Sequence, residues 1–213
     1  MNAAAGPALL SELASVDDPA PAEWAAALIQ ARRTVLPRRL SAPGPDPRQL
    51  AQILAAAAAA PDHGELLPWR FVIVPDSARN ALATVFEVSL RERDASASPE
   101  QIEQAREKAF RAPLLILAIA RLGAPGEEVH ANERLVSAGC AIQNMLLMAT
   151  ALGFASALTS GKAVHSAALR ELFRLQPQEQ ALCFISIGTG QARKAARPRP
   201  EAARYVSTLE TAP

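Results

Sequence analysis

PLLILAIA, at residues 113–120, is the stretch that decides the fold, because it is apolar without a break over the length of one β-strand. Strands with one solvent-exposed face alternate apolar and polar side chains, so an unbroken apolar run of this length indicates a strand buried on both faces. ALCFISIGTG, at residues 181–190, has the same character. A sheet that contains two such strands needs helices on both of its faces.

Helical and extended segments alternate on either side of these two strands. The sequence pattern predicts helices at residues 22–33, 47–60, 76–91, 98–110, 132–152 and 164–173. It predicts shorter strands or extended pieces in WRFVIVP (69–75), FASALTSG (154–161) and YVSTL (205–209), and no regular structure in the proline-rich segment 34–47. We therefore predict an α+β fold in which a mixed sheet is covered by helices on both faces.

Length and composition bound the domain organisation. The chain has 213 residues, half of them hydrophobic, which is enough for one domain with a proper core. Residues 1–21 are rich in Ala and Pro and are expected to form a mobile lead-in. Residues 22–213 show no internal repeat and no linker, so we predict a single domain there.

Charge and composition also exclude several classes of partner. The net charge is +1 and the aromatic content is 4%, which argues against nucleic acid and against an anionic membrane surface. The long apolar segment 132–152 contains adjacent Gln143 and Asn144, so it is predicted to be a core helix and not a membrane span. A cytoplasmic protein is predicted. Cys140 and Cys183 are expected to be buried, reduced thiols, and the three scattered histidines predict no metal site.

Three fragments have side chains that suit a ligand. Arg32, Arg33 and Thr34 follow a helix and can bind one phosphate, although the two arginines can equally complement the helix end. His63 lies in a loop between a helix and a strand, where it can contact a ligand or simply bond the backbone. The segment 158–161 offers Thr and Ser hydroxyls and backbone N–H groups beside a glycine, or it is an ordinary turn.

Familiar catalytic motifs are missing. The sequence contains no G-x-G-x-x-G after a strand, no phosphate-binding loop of the G-x-x-x-x-G-K-[ST] type and no G-x-S-x-G nucleophile elbow. No pair of acids stands apart from the solvated helix charges, and no side chain is singled out as catalytic. The protein therefore either borrows its chemistry from a cofactor or has none.

The order and spacing of five fragments resemble the nitroreductase family of FMN enzymes, in its short, compact branch. The fragments are RRT (32–34), AAAAPDHGELLPWRFVIV (57–74), FRAPLLILAIA (110–120), SAGCAIQNMLLMATALGFASALTSG (137–161) and ISIGTG (185–190). They lie between residues 32 and 190, within the range of about residues 23–208 over which the resemblance extends. Each is weak alone, but their shared order is specific.

The resemblance implies a homodimer that holds two FMN molecules at the subunit interface, each in a pocket lined by both chains. It implies that Arg32, Arg33 and Thr34 bind the FMN phosphate and ribityl groups. It also implies that His63 and Leu67 contact the flavin, and that Leu158, Thr159 and Ser160 lie along the ring from the partner subunit.

The chain departs from the family pattern at three places in this set. Leu67 stands where a Gln or Asn usually bonds the flavin, and Leu158 and Thr159 replace a frequent Trp and Arg. The loop after Thr34 is about two residues longer than usual, which leaves open whether Arg38 or Arg39 turns inward. Arg193 and Lys194 are further candidate phosphate ligands with no motif to place them.

The implied activity is that of an FMN-dependent NAD(P)H oxidoreductase. Reduced nicotinamide, NADPH or NADH, would give hydride to the flavin N5, and a nitroaromatic or quinone-type acceptor would then take the electrons in a ping-pong sequence. The alternative is a non-catalytic dimer of the same fold that binds flavin without turnover or has lost it. A third reading, a flavin enzyme that cleaves or dehalogenates, commonly needs a lid, for which the 121–132 loop looks too short.

Overall fold

A computed structural model of the chain describes residues 20–124, 126–190 and 198–209. The helices within these residues are α1 (Pro21–Ala31), α2 (Pro47–Ala56), α3 (Asp76–Arg93), α4 (Pro99–Arg106), α5 (Ala131–Ala151) and α6 (Ala167–Leu172). The strands are β1 (Leu40–Ser41), β2 (Trp69–Ile73), β3 (Leu114–Arg121), β4 (Ala155–Thr159) and β5 (Glu179–Gly190).

The strands form one sheet built around β5. β3 pairs with one edge of β5, β4 and β1 pair with the other edge, and β2 lies outside β3. These ladders are antiparallel. A mixed sheet was predicted, and within the described residues its parallel part is a single bridge between Thr34 and Ser156. The chain leaves β2 and returns to β3 through two helices, α3 and α4, so it re-enters the sheet at the end it left and runs antiparallel.

Both faces of the sheet are buried, as the apolar runs predicted. On one face, Ile116 of β3 and Ile185 of β5 pack with Ile53 of α2 and Met145 of α5. On the other face, Leu117 and Phe184 pack in a core that also contains Leu82 of α3 and Leu169 of α6. Successive strand residues point to opposite faces, so an apolar residue at every position is what a doubly covered strand requires. The predicted α+β fold with helices on both faces is confirmed.

Local capping signals fix where the helices begin. Asp46 accepts a hydrogen bond from the N–H of Gln49 at 2.8 Å, and the Gln49 side chain accepts from the N–H of Asp46 at 3.0 Å. Ser98 and Gln101 form the same reciprocal pair at the start of α4. The predicted helices at 47–60, 98–110 and 164–173 each include a 3-10 turn: Ala57–Ala59, Glu107–Phe110 and Lys162–His165.

Two predictions at the ends of elements are wrong. Segment 34–47 does contain regular structure: a 3-10 turn at Pro37–Arg39 and the strand β1, whose Leu40 and Ser41 pair with Gly190 and Thr189. The cause is tertiary, because β5 extends past the end of its ladder with β4 and its free edge pairs with this segment. YVSTL forms no strand among the described residues, and its Leu209 is 89% exposed. Residues 1–19 of the predicted lead-in lie outside the described residues, and Pro21 already begins α1.

Both cysteines are free thiols, as predicted. Cys183 is buried in the sheet, and burial raises its pKa to about 11. Cys140 is half-buried on α5. A thiol with a pKa this high is not a nucleophile near neutral pH, so Cys183 serves as a small core residue.

Candidate functional site

Two of the three ligand-suited fragments meet at the edge of the sheet. Thr34 makes its parallel bridge with Ser156 of β4, and the N–H of Val35 donates to the Ser156 carbonyl at 3.0 Å. β4 then ends in Leu158 and Thr159, which are exposed. The chain that follows α1 therefore runs beside the strand whose end the sequence predicted to touch a ligand.

The paired arginines at this edge are occupied by local contacts. The Arg33 guanidinium donates to the carbonyls of Gln30 and, at 3.2 Å, of Arg32. The Arg32 guanidinium lies 3.5 Å from the Thr34 hydroxyl oxygen. These are the helix-end contacts of the alternative interpretation, so a phosphate would have to compete with two carbonyl groups for Arg33.

A cleft of about 640 Å³ opens beside the end of β4. The sheet forms its floor, α3 and α4 form one wall, and the 3-10 turns before β1 and after β4 form the other. Its lining combines apolar side chains with five cationic ones and, within the described residues, no Asp or Glu. The cationic residues are Arg38, Arg93, Lys108, Arg111 and Lys162.

The lining of the cleft includes some of the predicted site residues and several that were not predicted. Thr159 and Gly161 line it, and so does Arg38, whereas Arg39 does not. No sequence motif marks Arg93, Lys108, Arg111 or Lys162 as part of a site. In the sequence, these four residues resemble ordinary solvated charges on helices and turns. They line one cleft only because distant segments pack together over the sheet.

His63 and Leu67 lie at the other end of the sheet. Their loop leads into Trp69, which pairs with Ala120, and the carbonyl of Pro68 accepts from the N–H of Arg121. The cleft instead contains Leu115, near the start of β3. Six residues of strand separate Leu115 from Arg121, which corresponds to about 20 Å. One copy of the chain therefore does not bring its predicted ligand-contacting residues together.

The loop at residues 62–67 has an unusual backbone. Glu65 and Leu67 have φ values of 52° and 48°, which non-glycine residues rarely adopt, and Gly64 lies in the same region. The carboxylate of Asp62 holds the turn by accepting from the N–H of Leu67 at 2.7 Å. Leu67 is 51% exposed despite being apolar. Such strain persists where the surroundings impose it, often at functional loops.

His63 is paired across this loop with the start of α5. Its Nδ1 lies 2.9 Å from Oε2 of Glu133. The hydrogen bond to Glu133 raises the pKa of His63 above its ordinary value, and the same bond lowers the pKa of Glu133. Glu133 also accepts from the N–H of His130, so one carboxylate both caps α5 and holds the imidazole.

Among the described residues, α1 and one side of α5 form an exposed surface. α1 is built mostly of Ala, Leu, Ile and Trp, and none of its residues is buried. On α5, one stripe is exposed, formed by Asn132, Val136, Gly139 and Gln143. α5 was predicted to be a core helix, and its inner side is buried whereas this stripe is not. We call α1 together with this stripe the α1/α5 face.

Comparison with known proteins places the chain in a family. The model of the nitroreductase family matches residues 29–189. The chain belongs to the nitroreductase family. A Haemophilus influenzae protein that carries a provisional NAD(P)H nitroreductase name is 36% identical over 156 residues, which cover 73% of this chain and 84% of that protein.

Solved structures agree with this assignment at the level of the fold. A nitroreductase-like family protein from Bacillus cereus matches with a TM-score of 0.75 and 18% identity, over 87% of this chain and 96% of that one. A variant of an FMN- and NADPH-dependent nitroreductase from sphigopyxis sp. strain HMH matches with a TM-score of 0.69 and 19% identity, over 88% and 99% of the two chains. The fold is thus the nitroreductase fold.

The described part of the connection between β3 and α5 contacts the start of α5 through Arg134. The guanidinium of Arg134, which is buried, donates to the carbonyl of Val129 at 3.0 Å and bonds the Glu127 carboxylate. Gly123 has a φ of 78°, and an added Cβ there would lie 2.9 Å from the Arg134 side chain. The described part of this loop is therefore fixed against the start of α5.

Two further observations concern the described residues only. They contain no cluster of three or more His, Cys, Asp and Glu side chains arranged to hold a metal ion. No helix among them has the length and apolarity that a bilayer crossing requires. Arg193 and Lys194 lie outside the described residues, so their predicted role as phosphate ligands stays a prediction.

A substitution separates the two roles open to Arg33. If Arg33 binds the FMN phosphate, Arg33→Ala should weaken FMN binding by about 10- to 100-fold and leave the affinity for riboflavin, which lacks the phosphate, nearly unchanged. Quenching of flavin fluorescence on titration measures both affinities. A loss of thermal stability with equal affinities for FMN in the two proteins would assign Arg33 to the end of α1 alone.

Proposed function

We propose that the protein is a homodimeric, FMN-dependent NAD(P)H oxidoreductase, in which residues 22–213 form one flavin-binding domain. The observation that supports it most is the cationic cleft beside the end of β4, which Thr159 and Arg38 line, close along the chain to the Arg32–Thr34 segment that runs beside β4. Its electron acceptors would be nitroaromatic or quinone-type compounds. The cytoplasmic location stays a prediction from the sequence.

The residues of the cleft fit an FMN molecule. A volume of about 640 Å³ lies within the range of cofactor pockets. Phe86, Leu90 and Phe184 offer apolar walls for a flat ring. A phosphate monoester has a charge of about −1.5 to −2 near neutral pH, which the surrounding cations would balance.

The position of His63 and Leu67 supports a dimeric site. Their loop leads into β2 beside the Arg121 end of β3, whereas the cleft of their own chain contains Leu115, about 20 Å away along that strand. A second copy, related by a two-fold axis, can supply them to the first copy's cleft, and the arrangement then repeats in the opposite sense. The apolar α1/α5 face gives such a pair of chains a surface to bury.

Each part of the site has a role in this proposal. Arg32, Arg33 and Thr34 bind the phosphate and the ribityl chain, and the cleft cations add to the positive field around them. Leu158, Thr159 and Ser160 lie along the ring, with backbone N–H groups near Ser160 as donors to its edge. His63 and Leu67 approach from the partner subunit, where Leu67 presents an apolar contact instead of a hydrogen bond.

When bound, FMN would supply the redox chemistry, namely hydride uptake from NAD(P)H and transfer of two electrons to a second substrate. The chain then needs no acid or base of its own and serves to bind, orient and exclude water. The relative from sphigopyxis sp. strain HMH is named as an FMN- and NADPH-dependent nitroreductase, which supports this assignment.

Anaerobic reduction tests the proposal. Protein loaded with FMN should be yellow, should bleach on mixing with NADPH or NADH, and should recover its colour on addition of a quinone or nitroaromatic acceptor. Initial rates at several concentrations of both substrates should give the parallel reciprocal plots of a ping-pong sequence. A yellow dimer that never bleaches, or a colourless dimer that rejects added FMN, would instead support the non-catalytic alternative.

A further inference from the structure

The contact between His63 and Glu133 defines which nitrogen of the imidazole ring must have a proton. A carboxylate only accepts hydrogen bonds, so the Nδ1 that lies 2.9 Å from Glu133 must have a proton. Among the described residues, no group bonds the opposite nitrogen, Nε2, and the His63 side chain is 60% exposed. Nε2 is thus the nitrogen that a ligand can meet.

We propose that Glu133 is a positioning residue, which holds the His63 ring so that Nε2 donates a hydrogen bond to FMN bound in the partner subunit's cleft. The inference rests on the proposed function, and it adds a residue that the sequence analysis did not single out. Flavin rings and phosphates are rich in acceptor oxygens, so a donor at Nε2 suits them, whereas a neutral ring with its proton on Nδ1 would offer only an acceptor.

The carboxylates around His63 favour the cationic imidazole, in which Nε2 donates a hydrogen bond. Glu133 acts on His63 from α5, Glu128 acts from the loop before α5, and Asp62 acts from the histidine's own loop. All three carboxylates raise the pKa of the imidazole, and Glu133 raises it most. The loss of solvent around the ring lowers the pKa by less than Glu133 raises it. The cationic form binds acceptors better, so FMN affinity should be highest below the His63 pKa and should fall as the pH rises through it.

The capping role of Glu133 can be separated from its effect on His63. The N3 position of a capping box accepts Glu or Gln, and α2 and α4 use Gln49 and Gln101 there. Glu133→Gln therefore keeps the cap of α5 but removes the charge. Gln49→Glu is the matched control, because it introduces the opposite change at the same position of another helix.

The experiment measures FMN affinity between pH 5.5 and 8.5 for wild type, Glu133→Gln, His63→Gln and Gln49→Glu. Wild type and the Gln49→Glu control should lose affinity above the His63 pKa. Glu133→Gln should match wild type at the low end, should have its break at lower pH, and should bind up to about tenfold more weakly between the two breaks. His63→Gln should show no such break. The same measurements with riboflavin, which lacks the phosphate, exclude titration of the FMN phosphate as the cause of the break.

A second measurement does not depend on flavin. The imidazole proton resonances of the dimer, assigned with His63→Gln, should show that Glu133→Gln lowers the pKa of His63. If wild type binds FMN and Glu133→Gln shows the same pH profile as wild type, the positioning role is refuted while the proposed function stands. If wild type takes up no FMN at any pH, the proposed function fails, and with it the role of this pair at the flavin.

Discussion

The single substitution Gly139→Arg is expected both to convert the protein to monomers and to abolish FMN binding. Gly139 lies inside the 21-residue helix α5, where a glycine costs about 1 kcal/mol relative to Ala. Among the described residues nothing requires the glycine, because an added Cβ would meet none of their atoms within 4 Å. The close approach of a second copy across the α1/α5 face would account for it.

An arginine at this position would put an unpaired charge into the apolar interface from each of the two subunits. A cost of about 3 kcal/mol or more for an uncompensated buried charge corresponds to a dimer dissociation constant raised more than about 100-fold. Arginine forms helix better than glycine, so the monomer itself should stay folded. Sedimentation or light scattering gives the oligomeric state, and flavin fluorescence gives the binding.

Val88→Arg is the control for this prediction, since Val88 is an exposed residue of α3 that does not line the cleft. That variant should stay dimeric and yellow. A Gly139→Arg protein that also stayed dimeric and held FMN would show that the subunits meet through another surface, and it would remove the main support for the α1/α5 face as the interface.

The second large effect is expected at Glu179, which lies at the start of β5 and is buried. Arg70 donates to its two oxygens at 2.7 and 2.8 Å, and the N–H of Gln176 donates at 3.0 Å. Arg121 lies 3.7 Å away. Glu179→Gln removes the charge that these donors surround and leaves Arg70 without its counter-ion, so unfolding should become easier by about 3 kcal/mol.

The pH dependence of stability offers an independent check. The hydrogen bonds from Arg70 lower the pKa of Glu179 to about 2, from an ordinary value of 4.5. Because the folded form holds the carboxylate ionised, its contribution is complete above about pH 5 and is lost as the pH falls towards 2. Urea unfolding of wild type and Glu179→Gln should therefore give stabilities that converge in acid.

Glu103→Gln is the matched control, because Glu103 is 69% exposed and lies 3.9 Å from its partner Arg106. Its stability should stay within about 0.5 kcal/mol of wild type. If Glu179→Gln unfolded at the same urea concentration as Glu103→Gln at neutral pH, the network around Glu179 would have no net stabilising role.

Local signals in the sequence predicted most elements of the fold. The unbroken apolar runs in β3 and β5 required cover on both faces, and the Asp46 and Ser98 caps set the starts of two helices. These features depend on a residue and its close neighbours in the chain, which is why a single sequence is enough to recognise them. The strand β1 was missed because its pairing depends only on the free edge of β5.

The candidate site was predictable only in part. The order of the fragments was enough to name the family, and Thr159 and Arg38 do line the cleft. Lys108 and Arg111, in and just after the 3-10 turn Glu107–Phe110, were missed, because a surface cation has the same local pattern whether it faces water or a cleft. Glu133 was missed for a similar reason, since its pairing with His63 spans 70 positions of the chain.

By itself, the sequence determined the kinds of element, their order, the double burial of the central strands and the family resemblance, because each depends on periodicity or on short motifs. Only the tertiary structure showed that Arg33 bonds carbonyls at the end of its own helix and that five cations converge on one cleft. It also separated His63 from that cleft by the length of a strand. Such relations arise from packing between distant segments, and no local pattern encodes them.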